Sequence, residues 1–337
     1  MKRKRNEIRL LIFFLSTLFI PAVFAQEYGG TSWRFSDDDP RDAYFYRDTP
    51  RDMVDPGKYE SPPDPLLESR KTGREESVFQ KLWLDACWVP SGGQNGLGMT
   101  RLNAGVTFAL PGPKCPWTQR TFFLLTPGFD YTHVDWKQPT AFPDSLFRAG
   151  LSVSWIQEIN PRWMIMAGAS PAWAGDGKAT RDTVRCPAYV GAAWTPNSHW
   201  KFVLGVSYLA RNDMLFLPFG GVIWTPNENW TLELTAPKAR VARRLAGLSD
   251  AVFQNWIYVA GGLDGNAWAV RSTAGEDDYA MYREYSIQLG YECVRNRTQV
   301  WSVEIGVLFW RKMEFEHHTQ RTVEPNNAVF LRTKVAF

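Results

Sequence analysis

Long stretches of this chain alternate apolar and polar residues with a period of two. In residues 301–309 the odd positions are Trp, Val, Ile, Val and Phe, whereas positions 302, 304 and 306 are Ser, Glu and Gly. Residues 101–110, 147–155 and 285–292 follow the same rule. Because successive side chains of a β-strand point to opposite faces, each stretch is predicted to be a strand with one apolar and one polar face.

The pattern predicts thirteen strands in the 261 residues from 77 to 337. Besides the four above, the segments are 78–89, 120–136, 162–174, 183–195, 199–211, 215–225, 229–241, 255–271 and 328–337. One strand with its connection takes about twenty residues, which fits the roughly 10-residue tilted spans of membrane barrels better than the spacing in soluble sandwiches. We therefore expect an all-β fold, a closed antiparallel transmembrane β-barrel.

The predicted strand number is odd, whereas single-chain bacterial barrels have an even number. Merging or dropping one weak segment gives about twelve strands, the number we favour within an expected range of 10 to 14. Splitting residues 256–271 at Asp264-Gly265-Asn266 would instead give fourteen. Either barrel is wider than the eight-stranded type that side chains fill and narrower than general porins, so we expect a narrow or a plugged lumen.

Tryptophan flanks two nearly identical turns. Residues 194–200, Trp-Thr-Pro-Asn-Ser-His-Trp, recur thirty residues later as 224–230, Trp-Thr-Pro-Asn-Glu-Asn-Trp. Pro-Asn favours a sharp reversal, and aromatic residues, 15% of this chain, collect at membrane–water interfaces. The residues expected in such an aromatic girdle are Trp194, Trp200, Trp224 and Trp230.

The N-terminal part of the chain differs from the rest and defines two further regions. Residues 1–25 combine basic residues, an apolar core and the small residues of a cleavage site after Ala25, as in a secretory signal peptide. Residues 26–76 are acidic and rich in proline, which predicts a disordered leader that is a flexible spacer or a plug. The barrel is expected to span residues 77–337.

The last strand and one internal stretch carry resemblances to known proteins. The chain ends in an amphipathic strand closed by Phe337, which resembles the terminal strand that the barrel assembly machinery reads in bacterial outer-membrane barrels. Residues 200–208 and 217–227 resemble a family of uncharacterised bacterial outer-membrane barrels that is classed as a domain of unknown function. The resemblance extends over roughly residues 77–337. The resemblance implies a fold, a bacterial outer-membrane location and contact with membrane lipid and lipopolysaccharide. It implies no catalytic residue.

The polar faces of the strands predict the lining of the lumen. The residues placed there are Arg101, Asn103, Arg148, Gln288, Glu292, Glu304, Arg332 and Lys334. Mixed charges in a confined space either pair and fill it or line a water path for small polar solutes. Arg240, Arg243 and Arg244 are assigned to a connection on the outer side, where they contact lipopolysaccharide or form an ordinary solvated loop.

Three residues offer a weak catalytic alternative. His133 and Asp135 share one face near a strand end, and Ser145 follows the next loop, so a base and its orienting group are conceivable there. The chain has no Gly-x-Ser-x-Gly motif. We therefore expect no enzyme activity and no cofactor.

Histidines and cysteines point to no metal centre. His317 and His318 lie beside two glutamates, but adjacent residues of a strand point to opposite faces. The four cysteines allow one or two disulfides in an oxidising compartment, and the sequence does not choose among the pairings. They are Cys87, Cys115, Cys186 and Cys293.

The formal net charge of +3 argues against a nucleic-acid partner. The expected function is a narrow outer-membrane channel for small polar solutes. The alternatives are a non-conducting structural or surface-interaction barrel, an outer-membrane hydrolase and a secreted soluble β-protein.

Overall fold

A computed structural model describes most of the chain beyond residue 77. The ranges it describes are 78–93, 95–113, 120–136, 142–211, 215–249, 252–271, 275–295, 299–316 and 322–337. The signal peptide, the leader, Cys115 and the His317-His318 pair lie outside these ranges. No helix within them is long and apolar enough to cross a membrane.

Strands dominate the structure within these ranges. In chain order they are β1 (Phe79–Val89), β2 (Leu97–Pro111), β3 (Arg120–Trp136), β4 (Ser145–Asn160), β5 (Trp163–Ala169), β6 (Ala172–Gly175), β7 (Val184–Arg185), β8 (Ala188–Asn197), β9 (Trp200–Tyr208), β10 (Phe216–Asn227), β11 (Trp230–Ala236), β12 (Lys238–Arg244), β13 (Phe253–Arg271), β14 (Asp277–Arg295), β15 (Gln299–Phe315), β16 (Thr322–Val323) and β17 (Ala328–Ala336). A single 3₁₀ turn, Ala246–Leu248, precedes β13.

Fourteen of these strands, all except β6, β7 and β16, form one closed antiparallel barrel. Chain neighbours pair around the circuit, and β17 pairs with β1 to close it, with Trp83 opposite Ala336. The closed antiparallel barrel predicted from the alternation is confirmed. Closure removes free sheet edges, which a lipid environment does not tolerate.

The fourteen strands lie at the upper limit of the expected range, and only the favoured number of twelve is wrong. Segment 229–241 holds two strands, β11 and β12, which reverse at Pro237 and pair with Glu233 opposite Arg240. Proline has no N–H to donate to a sheet ladder, so a strand ends there readily. The alternative split at Asp264-Gly265-Asn266 is also wrong, because β13 runs unbroken through these residues and pairs with β14 along its whole length.

The first strand, β1, begins and the last strand, β17, ends at the same end of the barrel, called here the lower end. The backbone of Phe337 exchanges hydrogen bonds with that of Leu82. Three two-residue turns, β4–β5, β8–β9 and β10–β11, are at this end. In each turn an asparagine side chain, Asn160, Asn197 or Asn227, accepts a hydrogen bond from the N–H two residues ahead. The two Trp-Thr-Pro-Asn segments therefore form turns at the lower end, because an asparagine side chain stabilises a turn by accepting a hydrogen bond from the backbone two residues ahead.

The outer face of the barrel is apolar between two rows of aromatic rings. At the lower end Trp200 stacks on Trp224, with ring centroids 5.2 Å apart. Further up, Tyr285 stacks on Phe309 at 6.0 Å. The nine residues from Trp301 to Phe309 on β15 cover about 26 Å of strand, or roughly 20 Å of height at a usual tilt of about 40°, which is most of the roughly 25 Å apolar band of a membrane barrel.

The upper half of the molecule contains a second, narrower circuit, called here the neck. β6 and β7 continue the hairpin of β5 and β8 beyond breaks at Pro171 and Pro187. β6 pairs with β4 on one edge, and its last residue, Gly175, pairs with Ala269 of β13. The neck therefore consists of β1–β4, β6, β13–β15 and β17.

Apolar side chains fill the neck. One contiguous buried cluster joins residues from opposite walls, including Leu97 on β2, Leu146 on β4, Trp268 on β13 and Met313 on β15. Leu97, Leu146 and Met313 have no solvent exposure. Within the described residues the interior of the neck is therefore mainly apolar, and the Arg311 guanidinium reaches it by donating to the carbonyl oxygen of Leu97 and to the hydroxyl of Tyr282.

Candidate pore and its charged wall

Below the neck, twelve charged side chains line one side of the barrel interior, and we call them the charged wall. Its six basic members are Arg101, Lys238, Arg240, Arg311, Arg332 and Lys334, and its six acidic members are Asp85, Glu233, Asp264, Glu284, Glu292 and Glu304. Each member has an opposite charge within 4 Å. Equal numbers of the two signs leave the wall without net charge.

Two contacts establish that the wall faces inward. Arg332 on β17 lies 3.9 Å from Asp264 on β13, although β14 and β15 separate these strands around the circuit. Arg101 on β2 forms a buried ion pair with Glu284 on β14, with β1, β17 and β15 between them. Contacts between strands that are not neighbours pass through the interior, so these side chains point there.

Glu304 on β15 has three polar partners, as Glu284 has. Its carboxylate accepts hydrogen bonds from the Tyr258 hydroxyl at 2.7 Å and from Lys334 Nζ at 2.8 Å, and Arg332 Nη1 lies 3.7 Å away. The Tyr258 ring lies flat against Gly290, where a Cβ would overlap it. Glycine at this position therefore lets the ring lie along the wall and aim its hydroxyl at Glu304.

Five of the eight residues placed in the lumen from the sequence belong to the charged wall, namely Arg101, Glu292, Glu304, Arg332 and Lys334. Arg148 lies on the opposite side, 3.7 Å from Asp130. Gln288 is buried and Asn103 is half-buried.

The assignment of Arg240, Arg243 and Arg244 to an outer connection is wrong. All three lie on β12, because the chain reverses at Pro237 and returns to the lower end. Arg240 belongs to the charged wall, 3.5 Å from Glu292, with its guanidinium 4.0 Å from the centre of the Tyr258 ring. Arg243 covers the Trp230 ring at the lower end.

The girdle tryptophans lie side by side on the outer face of the lower end. Trp194 stacks on Trp163 at 6.0 Å and Trp200 stacks on Trp224, while Trp230 is exposed at the start of β11. The terminal side chain of Phe337 is half exposed at the seam between β17 and β1.

The candidate catalytic residues do not form a triad. Asp135 accepts a hydrogen bond from Ser91 at 2.5 Å, and the Ser145 hydroxyl lies 3.3 Å from that of Tyr131. His133 on β3 and Ser145 on β4 are opposite each other in the sheet, a pairing of backbone positions. A triad needs its base hydrogen-bonded to both the nucleophile and the orienting acid.

Cysteines and metal ligands give no further site in the ranges described above. Cys87, Cys186 and Cys293 are free thiols, so the expectation of disulfides among them is not met. Cys87 and Cys293 are buried on the strands, whereas Cys186 is exposed beside β7. The same ranges contain no group of three metal-ligating side chains.

A polar anchor holds the tip of the β6–β7 hairpin to β13 and β14. Asp277 accepts hydrogen bonds from Arg271 Nε at 2.8 Å and from the N–H and hydroxyl of Thr180 at 3.0 and 2.8 Å. Asp176 accepts a hydrogen bond from the N–H of Arg271 at 2.9 Å. The hydrogen bond from Arg271, with those from Thr180, holds the pKa of Asp277 well below its usual range.

A closed antiparallel sheet with an apolar, aromatic-bordered exterior and a charged interior defines a transmembrane β-barrel. No protein-family model matches the chain, and no curated protein does. Solved structures with a similar fold are described as a bacterial polysaccharide outer membrane secretin (11% identity, 78% of this chain and 99% of that chain, TM-score 0.36), the NanC porin (11%, 75% and 98%, 0.32) and an outer membrane channel from Pseudomonas putida F1 (10%, 85% and 100%, 0.36). With TM-scores below 0.5, these similarities carry no further argument.

Proposed function

We propose that this protein is a narrow outer-membrane channel for small polar solutes, and that the neck is its gate. The observation that carries the proposal is the contrast within one barrel, where the interior is charged below the neck and mainly apolar within it. Paired charges also fill barrels with only a structural role, so the charged wall alone does not separate the two functions; a polar interior that meets an apolar constriction is the arrangement of a gated lumen.

The neck gives the gating step a specific location. β6 reaches β13 through Gly175, where a Cβ would lie 2.8 Å from the carbonyl oxygen of Ala269. The next N–H, that of Asp176, donates a hydrogen bond to the same oxygen at 3.1 Å. The seam is therefore short and sterically tight, and opening it would separate two walls of the neck without breaking the fourteen-stranded circuit.

Outer-membrane location follows from the same proposal. The lower end, with its short turns, faces the periplasm, and the neck faces the outside, as in barrels with both termini in the periplasm. Phe337 then serves as the assembly signal, and the outer face contacts membrane lipid and lipopolysaccharide.

The test is single-channel conductance in a planar bilayer. Folded mature protein, identified by heat-modifiable gel migration, is compared with Gly175→Val and with a form lacking residues 26–76. We expect rare openings of the wild type and frequent openings of Gly175→Val, because a Val side chain cannot fit 2.8 Å from Ala269. More frequent steps after truncation would make the leader a second plug.

The matched control is Gly92→Val, a change in an upper connection where a Cβ meets nothing within 4 Å. Its conductance should equal that of the wild type. Silence of all folded forms would refute the channel and favour the alternative, a non-conducting structural barrel, which the apolar filling of the neck supports. Equal open probability of wild type and Gly175→Val would refute the neck as gate.

A further inference from the structure

A small cavity beside the neck is lined by three arginines from separate parts of the chain. Arg148 lies on β4, Arg185 on β7 and Arg211 just after β9. Arg148 and Arg211 are 6% and 4% exposed. No acidic residue is among the lining residues that the structure describes, and the remaining lining is neutral.

The arginines are held in place by the surrounding strands. The Arg185 guanidinium lies 3.4 Å from the centre of the Tyr279 ring, and its Nη1 donates to the carbonyl oxygen of Ala210 at 2.6 Å. Arg211 Nη1 lies close to Gly265, where an added Cβ would be 3.3 Å away. Stacking and packing of this kind fix guanidinium groups before any ligand arrives, which lowers the entropic cost of binding.

Small residues leave the space between the guanidinium groups open. Ala172 and Ala174 on β6 and Ala267 on β13 supply the apolar lining. Carboxylates act on these arginines from outside the lining, with Asp130 3.7 Å from Arg148 and with Asp182 and Glu316 near Arg185. The lining itself is basic, and the cavity is about the size of one water molecule, so a ligand would insert a single oxygen atom between the guanidinium groups.

Arg185 and Arg211 lie close enough for their like charges to repel, a cost that a bound anion would reduce. Burial lowers the pKa of Arg185 and the charge of Arg211 adds to this, whereas Tyr279, Asp182 and Glu316 act in the opposite direction. Guanidinium forks match the oxygens of phosphate and carboxylate groups and donate two hydrogen bonds to them at once. An isolated chloride ion cannot use this geometry.

We infer that Arg148, Arg185 and Arg211 form a binding site for a small oxyanion, a phosphate or carboxylate group, at the upper mouth of the barrel. The site goes beyond the proposed channel, since it would bind its ligand whether or not the barrel conducts. Free phosphate, a carboxylated solute and the phosphate of a lipopolysaccharide headgroup share this chemistry.

The test is calorimetric binding to the folded mature protein in a zwitterionic detergent. Inorganic phosphate and acetate are titrated separately at constant ionic strength against a chloride background. We expect saturable binding with one site per chain, weakened about tenfold or more in Arg185→Gln and Arg211→Gln, since each loses a charge-assisted hydrogen bond. Arg211→Lys, which keeps the charge without the fork, should fall between these variants and the wild type.

Arg181→Gln is the matched control, because Arg181 is exposed on the same hairpin, four residues from Arg185. Its affinity should equal that of the wild type. Binding that survives in both Arg185→Gln and Arg211→Gln, or no saturable binding of either oxyanion, would overturn the inference.

Two vesicle preparations distinguish the sources of the oxyanion. Competition by phosphatidylcholine vesicles that contain lipopolysaccharide, but not by vesicles without it, would assign the site to the lipid headgroup. No competition together with binding of free phosphate or acetate would assign it to a soluble solute. A silent bilayer experiment with intact oxyanion binding would reject the channel and leave this site standing.

Discussion

The charged wall makes a strong prediction for Glu304→Gln, which keeps the size of the side chain and removes its charge. Glu304 is buried and contacts Lys334 at 2.8 Å and Arg332 at 3.7 Å, so the variant leaves two partly buried cations with less compensation. Breaking a buried ion pair costs about 3–5 kcal/mol. Because Asp85 and Asp264 still flank Arg332, we expect a loss near the lower value, about 3 kcal/mol.

The assay is reversible urea unfolding in lipid or detergent, followed by tryptophan fluorescence and by gel migration. With a denaturant slope of about 3 kcal/mol per molar, the urea midpoint should fall by about 1 M. Adding Lys334→Met to Glu304→Gln should cost less than the sum of the two single changes, because the two side chains interact. Glu228→Gln, in the exposed β10–β11 turn, should stay within about 0.5 kcal/mol of the wild type. A Glu304→Gln variant as stable as Glu228→Gln would refute the reasoning.

Two further predictions concern the upper end. Asp277→Asn weakens the anchor of the hairpin tip, so limited proteolysis within residues 176–183 should be faster than in the wild type at pH 7. Because the pKa of Asp277 is lowered on folding, the stabilisation that its carboxylate provides is present above the ordinary carboxyl pKa of about 4 and is lost only as the pH falls below it. Equal cleavage rates at pH 7 would contradict the anchor. In a Cys115→Ser background, a membrane-impermeant maleimide should label intact cells at the exposed Cys186 and not at buried Cys87 or Cys293. Labelling that requires cell lysis would reverse the proposed orientation.

Much of the barrel can be predicted from the sequence because lipid and lumen impose a strict period of two on each strand. The main error, at Pro237, also has a signal in the residues. Outward apolar residues occupy even positions before it, as in Leu232 and Leu234, and odd positions after it, as in Val241. A change of parity at a proline marks a reversal of the chain rather than the continuation of one strand.

Four of the seven members of the charged wall that the sequence did not identify have a structural reason. Lys238 and Arg240 follow the unrecognised reversal, and Arg311 follows Trp310, whose φ of 49° interrupts the regular alternation of β15. Asp264 lies in a segment that resembles a turn, although it pairs with Lys238 at 2.6 Å inside the barrel.

The neck had no local signal at all. Residues 162–174 and 183–195 read as two ordinary strands, and the breaks at Pro171 and Pro187 look like those of any hairpin. What closes the neck is the contact of Gly175 with Ala269, residues 94 positions apart. Such a pairing depends on which walls the barrel brings together, so it emerges only from the assembled structure. The same holds for the three arginines beside the neck, which lie on separate connections and strands.

The energetics of the neck link the two proposals. Opening the seam exposes apolar side chains, and exposing Leu97, Leu146 and Met313 alone costs roughly 5–9 kcal/mol at about 1.5–3 kcal/mol each. An unaided gate of that strength is open for only about one part in 10³ to 10⁶. A solute shifts this equilibrium only if it binds the open form more tightly than the closed one. Arg185 belongs to the hairpin that would move, whereas Arg148 belongs to the fixed wall. An oxyanion that bridges Arg185 and Arg148 in the closed state would therefore hold the gate shut. The conductance of Gly175→Val should then fall as phosphate is added. A rise in conductance would mean that the bound anion stabilises the open form.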